Sequence, residues 1–222
     1  MKYMHAIRLS VLPALLIPLA ACGAMLGGGK PDNLFRFGVP DREAAPSAAV
    51  PIEQKPVSLA RIRFAPEIEG DRILTARAGS VLYIKDARWA APAPDLFTQA
   101  MIRRFAERAA AIRLTPPRER PGNGLLLRLR VDRFEARYVP DAAKDAPPVI
   151  LLSGTAELAD LQSRRTVASR RFAVEEPASA NGKTAIVAAF DSAVSRCTVD
   201  VVDWTAEVVA RTSGLQAMEE TE

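Results

Sequence analysis

Seven apolar residues near the C-terminus, Ile186, Phe190, Val194, Cys197, Val201, Trp204 and Val208, recur at steps of three or four. That spacing makes one face of a single long helix, and such a face is stable only when another element covers it. The polar side carries Asp191, Asp200, Asp203 and Glu207. A membrane-surface helix is basic on that side, so this one is expected to pack across a sheet.

The strands of that sheet are legible upstream. Leu127, Leu129 and Val131 alternate with Arg128 and Arg130, and then Phe134, Ala136 and Tyr138 carry the opposite parity. A phase switch near Asp132-Arg133 is what a β-bulge, or a strand crossing from one environment to another, would produce. Residues Val149 to Leu161 and Thr166 to Val174, joined by the polar turn Gln162 to Arg165, extend this into an antiparallel meander. Three shorter strands are expected earlier, at Val57 to Phe64, Ile73 to Ala76 and Val81 to Ile84. Between the two groups, Pro94-Asp95 opens a helix predicted to run to Ala111, with Phe97, Met101, Phe105 and Ala109 on its apolar stripe and Ile112 closing it. Pro116-Pro117 forbids continuation. The expected fold class is α+β: an antiparallel sheet with two helices packed on one face, a two-layer sandwich.

The N-terminus has a different character. Lys2 and Arg8 precede an apolar run from Leu9 to Ala20 that is too short to span a bilayer, and Leu19-Ala20-Ala21-Cys22 is a lipobox. Cleavage before Cys22 leaves this cysteine to carry lipid. Each buried methylene contributes roughly 0.8 kcal/mol, so several acyl chains tether the mature protein stably. The domain plan is then residues 1–21 as a lipoprotein signal peptide and 22–55 as a lipidated flexible tether, rich in Gly, Pro and Ala. Residues 56–214 form the α+β domain, and 215–222 a disordered tail. Within the tether, the alternating side chains of Leu34-Phe35-Arg36-Phe37 suit a short strand added to a sheet edge. Either it docks on the domain, or it meets a partner.

Composition excludes several functions. The single histidine, His5, lies in the signal, so the mature chain has no imidazole for triad catalysis, most zinc sites or a histidine pH switch. With Cys22 lipidated, Cys197 is the one remaining thiol and reads as a small buried hydrophobe. Removal of the signal leaves 28 basic against 26 acidic residues, and the 23 arginines that remain are interspersed with acids. A net charge near +2 argues against nucleic acid as a partner. Ser153 and Lys183 are a conceivable pair for acyl transfer without histidine, but no Ser-x-x-Lys spacing joins them. No catalytic residue, cofactor or metal site is expected.

The order of lipobox, tether, short strands, the segment Arg88-Trp89-Ala90-Ala91-Pro92, helix, three long strands and closing helix resembles the ABC-type transport auxiliary lipoproteins. The most specific local piece is the Arg-Trp-Ala-x-Pro segment; an aromatic segment after the lipidated cysteine is matched by Leu34 to Phe37. The resemblance implies a non-enzymatic, periplasmic docking or scaffolding protein of an intermembrane lipid transport system, with an MCE-domain protein as its partner. It also implies lipid attachment at Cys22, a place on the periplasmic face of the outer membrane, and self-association into a ring as a possible state. An assembly factor for an outer-membrane complex, such as a lipopolysaccharide transporter, is the alternative. Arg88, Trp89, Phe35 and Phe37 are the candidate partner-binding residues, since aromatic and arginine anchors dominate interfaces. The competing reading places Trp89 in the core beneath the first helix. Arg104 and Arg108 share a helical stripe, either as a solvated face or against lipid headgroups.

Overall fold

The computed structural model describes residues 32–39, 54–121 and 123–219. Cys22 and the signal segment lie outside the described residues. The elements all belong to one compact unit that begins at Asn33. In chain order they are β1 (Asn33–Phe35), β2 (Lys55–Leu59), β3 (Arg63–Phe64), a single 3-10 turn, β4 (Arg72–Arg77), β5 (Ser80–Trp89), α1 (Ala93–Arg108), β6 (Ile112–Thr115), β7 (Leu125–Tyr138), β8 (Val149–Asp160), β9 (Thr166–Pro177) and α2 (Lys183–Glu219).

The long strand β7 organises the sheet. One of its edges pairs with β8 along nearly its whole length, and β8 pairs with β9, both antiparallel, as the meander predicts. Its other edge is met by three short strands in succession. Leu59 faces Leu127, Phe64 faces Val131 and Arg77 faces Tyr138, so β2, β3 and β4 run along β7 one after another, all parallel to it. At one end β2 continues to β6, also in parallel. At the other, β4 forms an antiparallel hairpin with β5, and β1 adds to β5 in parallel.

The sheet is therefore mixed, which corrects the expected antiparallel one. Parallel pairing requires a crossover between the strands, and α1, between β5 and β6, supplies it. Strand periodicity does not encode that choice, because either direction of pairing presents the same faces.

Of the two readings of the phase switch, the bulge is the one present: Val131 pairs with Gly154 and Arg133 with Ser153, leaving Asp132 as the extra residue. Leu127, Leu129, Val131, Phe134 and Ala136 are thereby all buried on one face. Gly154 meets this bulge, and a Cβ there would lie 2.0 Å from the Arg130 carbonyl oxygen and 2.6 Å from the Phe172 ring. Only glycine fits such an approach.

The α2 stripe is buried from Ile186 to Val208, with Trp204 7 % exposed. The helix lies against β8 and β9 and touches α1, and both helices share one apolar cluster with the sheet. Helix α1 ends at Arg108, earlier than expected. Ile112 opens β6 and reaches the same core from a strand, because the Ile112 N–H donates to the Ala109 carbonyl in a tight turn. Residues 215–219, expected in the tail, continue α2. Within the 22–55 span expected as a tether, residues 33–37 enter the fold and Lys55 already opens β2; residues 22–31 and 40–53 lie outside the described residues.

Candidate functional site

The four residues expected to meet a partner gather at one junction, where β1, β5 and the start of α1 come together. The register places Leu34 beside Arg88 and Phe35 beside Trp89. The chain then turns inward and inserts Phe37, 1 % exposed, among Trp89 and Phe134, with ring centroids at 4.9 and 5.3 Å. Trp89, 2 % exposed, also stacks on Phe134 and meets Phe190 of α2 edge-on at 5.3 Å. Edge-to-face and offset pairs of this kind contribute about 0.5–1.5 kcal/mol each beyond the area they bury.

As partner anchors, Trp89 and Phe37 are thus corrected: their rings have no surface to offer. They bind β1, the sheet and α2 into one core, and the docking reading of the Leu34–Phe37 segment is the one realised. Phe35 is partly buried against the same cluster. Arg88 is half-exposed and grips Asp71 through one guanidinium nitrogen, 3.0 and 3.3 Å from the two carboxylate oxygens. Around it the backbone is tied at every step: Trp89 N–H to the Asp71 carbonyl, Ala90 N–H to Phe35, and Ala93 N–H to Gly70. The Arg-Trp-Ala-x-Pro segment is a structural junction that sets where α1 begins.

Two further contacts secure the N-terminal segment. The Asp191 carboxylate accepts from the Gly38 N–H, and Arg103 donates to the Gly38 carbonyl. Gly38 sits at φ +67°, close against Ala100, where a side chain would collide. Arg104 and Arg108 likewise face protein: Arg104 bonds Glu107 and the Ser195 hydroxyl, while Arg108 makes a two-pronged pair with Asp203 of α2 at 2.8 and 3.1 Å. That pair raises the Arg108 pKa and lowers that of Asp203, chiefly through the side-chain hydrogen bond.

No acyl-transfer pair assembles. Ser153 stands on the sheet face opposite the core, whereas the Lys183 ammonium donates to the Asp86 carbonyl at 3.1 Å. Cys197 is fully buried, and burial, with Asp200 nearby, drives its thiol pKa upward. A buried, protonated thiol is a poor nucleophile. Among the described residues, no cluster of His, Cys, Asp and Glu is placed to hold a metal ion, and no helix is long and apolar enough to cross a membrane.

Leu34 and Val39 are exposed at this junction, and a further group of exposed apolar side chains lies elsewhere. Val81 and Leu82, 55 % and 69 % exposed, stand on the outer half of β5, and Val139, 61 % exposed, follows the Tyr138 that pairs with Arg77 at the same end of the sheet. A backbone irregularity separates the halves of β5: its pairing with β4 shifts between Tyr83 and Arg88, and Asp86 takes φ +52°. Strand β1 covers Ala87 to Trp89 only. The edge from Ser80 to Lys85 has no strand beside it among the described residues. No sequence pattern singled out this edge; its signal is an apolar pair in a short hairpin strand.

The family model for an ABC-type transport auxiliary lipoprotein component matches residues 40–202. The chain belongs to this family. The auxiliary lipoprotein is also similar to the crystal structure of protein XCC0632 from Xanthomonas campestris, a member of family DUF330, with 27 % identity and a TM-score of 0.68 over 82 % of this chain and 99 % of that one. A second solved structure, of a protein described only as uncharacterized, shares the fold at a TM-score of 0.61 and 11 % identity, over 79 % and 99 % of the two chains. No curated protein matches the chain by sequence.

Proposed function

We propose that this auxiliary lipoprotein is a docking component, without catalytic activity, that couples an ABC transporter to lipid movement between membranes by binding an MCE-domain protein. Lipid on Cys22 holds it at the periplasmic face of the outer membrane. Family membership supports a transport role. The observation that carries docking is the uncovered β5 edge beside Val81, Leu82 and Val139. Exposed strand edges invite strand addition, and native proteins normally blunt or cover them. Apolar side chains exposed together mark interaction surfaces.

The test is capture from crosslinked membranes of cells expressing the full-length protein, with a photo-crosslinking residue at the exposed Ser80 of the same strand and an MCE-domain protein as prey. Capture is expected, and Val81→Lys with Leu82→Glu should reduce it at least tenfold while the thermal midpoint stays within about 2 °C. If the wild type captures no MCE protein but does capture an outer-membrane assembly protein, the assembly-factor reading replaces this one. Equal capture by the double variant moves the docking surface away from β5.

A further inference from the structure

On the sheet face opposite the helices, Arg63, Arg128 and Arg130, with Arg61 at the rim toward α1, line a groove of about 740 Å³, together with Thr155 and Glu157. We propose that this groove binds a phosphate group, a function separate from docking at the β5 edge and independent of it.

The charges in the groove do not balance. Arg128 is held by Glu157 at 2.8 Å, and the Arg130 Nε by Asp132 at 2.9 Å, which leaves the far nitrogens of the Arg130 guanidinium outside that contact. Arg61 and Arg63 have no acidic partner among the described residues. Four guanidinium groups therefore share two carboxylates, an excess of two positive charges that suits one phosphate.

Register supplies a second, independent observation. Arg63 pairs directly with Arg130, Arg130 with Thr155, and Thr155 with Arg171, so three arginines and one hydroxyl lie in a single row across β3, β7, β8 and β9. Adjacent strands are about 4.8 Å apart, and like charges directly opposite each other are destabilising. Strand β3 is only two residues long, yet it places Arg63 at the position where repulsion from Arg130 is greatest. An anion bound between them converts that repulsion into attraction.

Guanidinium is the side chain best matched to phosphate, because its planar donors pair with two oxygens at once. Thr155 adds a hydroxyl donor. The groove is open to water and its positively charged groups are the arginines, so what it recognises is the phosphate itself. A phospholipid headgroup and free phosphate present the same chemistry and must be told apart by experiment.

The mature lipid-anchored protein in neutral detergent is titrated with inorganic phosphate in one arm and with dihexanoyl phosphatidylglycerol, below its micellar concentration, in the other. Binding is read by calorimetry and by the rise in thermal midpoint that follows when a ligand binds only the folded state. Arg63→Gln with Arg130→Gln should weaken binding at least tenfold, whereas Arg120→Gln with Arg211→Gln, which removes the same charge elsewhere, should leave it unchanged. Phosphatidylglycerol binding ten times more tightly than phosphate supports the groove with a lipid source; comparable affinities support it with a free phosphate or phosphomonoester. Flat titrations in both arms, undiminished binding by the Arg63/Arg130 variant, or equal loss in the control variant overturns the proposal. Without anion, Arg63→Gln alone should not lower the midpoint; a fall would refute the repulsion argument.

Discussion

Replacing Trp89 separates a structural role from a partner-binding one. The ring is 2 % exposed and touches Phe37, Phe134 and Phe190. Truncating a buried large aromatic to alanine costs about 3–5 kcal/mol, and loss of three ring contacts puts Trp89→Ala near the top, about 5 kcal/mol. Trp89→Phe keeps a ring in the same hole and forfeits a smaller area plus a small cavity, for a cost of about 1.5–2.5 kcal/mol. A domain of ordinary stability has about 5–15 kcal/mol in total, so the alanine variant is expected to be marginal and the phenylalanine variant folded. Urea denaturation followed by fluorescence reads this in both variants, because Trp204, the one other tryptophan, remains on α2 as a reporter. At roughly 2–4 °C per kcal/mol for a domain of this size, the alanine variant should melt about 10–20 °C lower. A cost below about 1 kcal/mol, with partner capture lost, would refute the core assignment and restore Trp89 as an anchor.

Three other outcomes are expected. Labelling with a palmitate analogue should mark the wild type and not Cys22→Ser, and a serine variant that stays labelled and membrane-bound would refute the lipobox assignment. Gly154→Ala should destabilise by about 2–4 kcal/mol in urea denaturation, because its Cβ meets backbone on one side and the Phe172 ring on the other; a neutral result would show that the bulge relaxes at no cost. The Asp203 carboxyl is more acidic in the folded state, so its stabilising contribution is present above the ordinary carboxylate pKa and is lost as pH falls through the lowered value. Asp203→Asn should therefore flatten the stability profile on the acid side, and an unchanged profile would show that the pair with Arg108 contributes nothing.

What could be read from the sequence were the features governed by local periodicity. The α2 stripe, the β8–β9 meander and the bulge at Asp132 each follow from which side chains must share a face, and burial demands the same answer at every register. The Arg88-Trp89 segment stood out for its composition, but its role did not. An arginine beside a tryptophan looks alike as an interface anchor and as a junction, and only the packing of Phe37 and Phe190 against the ring decides between them.

Contacts between residues distant in the chain were decided by the tertiary structure. The parallel pairing of β2, β3 and β4 along β7 depends on α1 acting as a crossover, which no strand's own pattern records. Phe37 enters the core across a gap of more than fifty residues from Trp89, and the arginine row forms because Arg63 and Arg130 meet in register from opposite sides of α1 in the chain. The sequence by itself determined which faces are apolar, that two helices form and which cysteine follows a lipobox, because these depend on neighbours a few residues away. The fold alone determined which of its arginines and aromatics face water, because that depends on partners brought together only when the sheet closes.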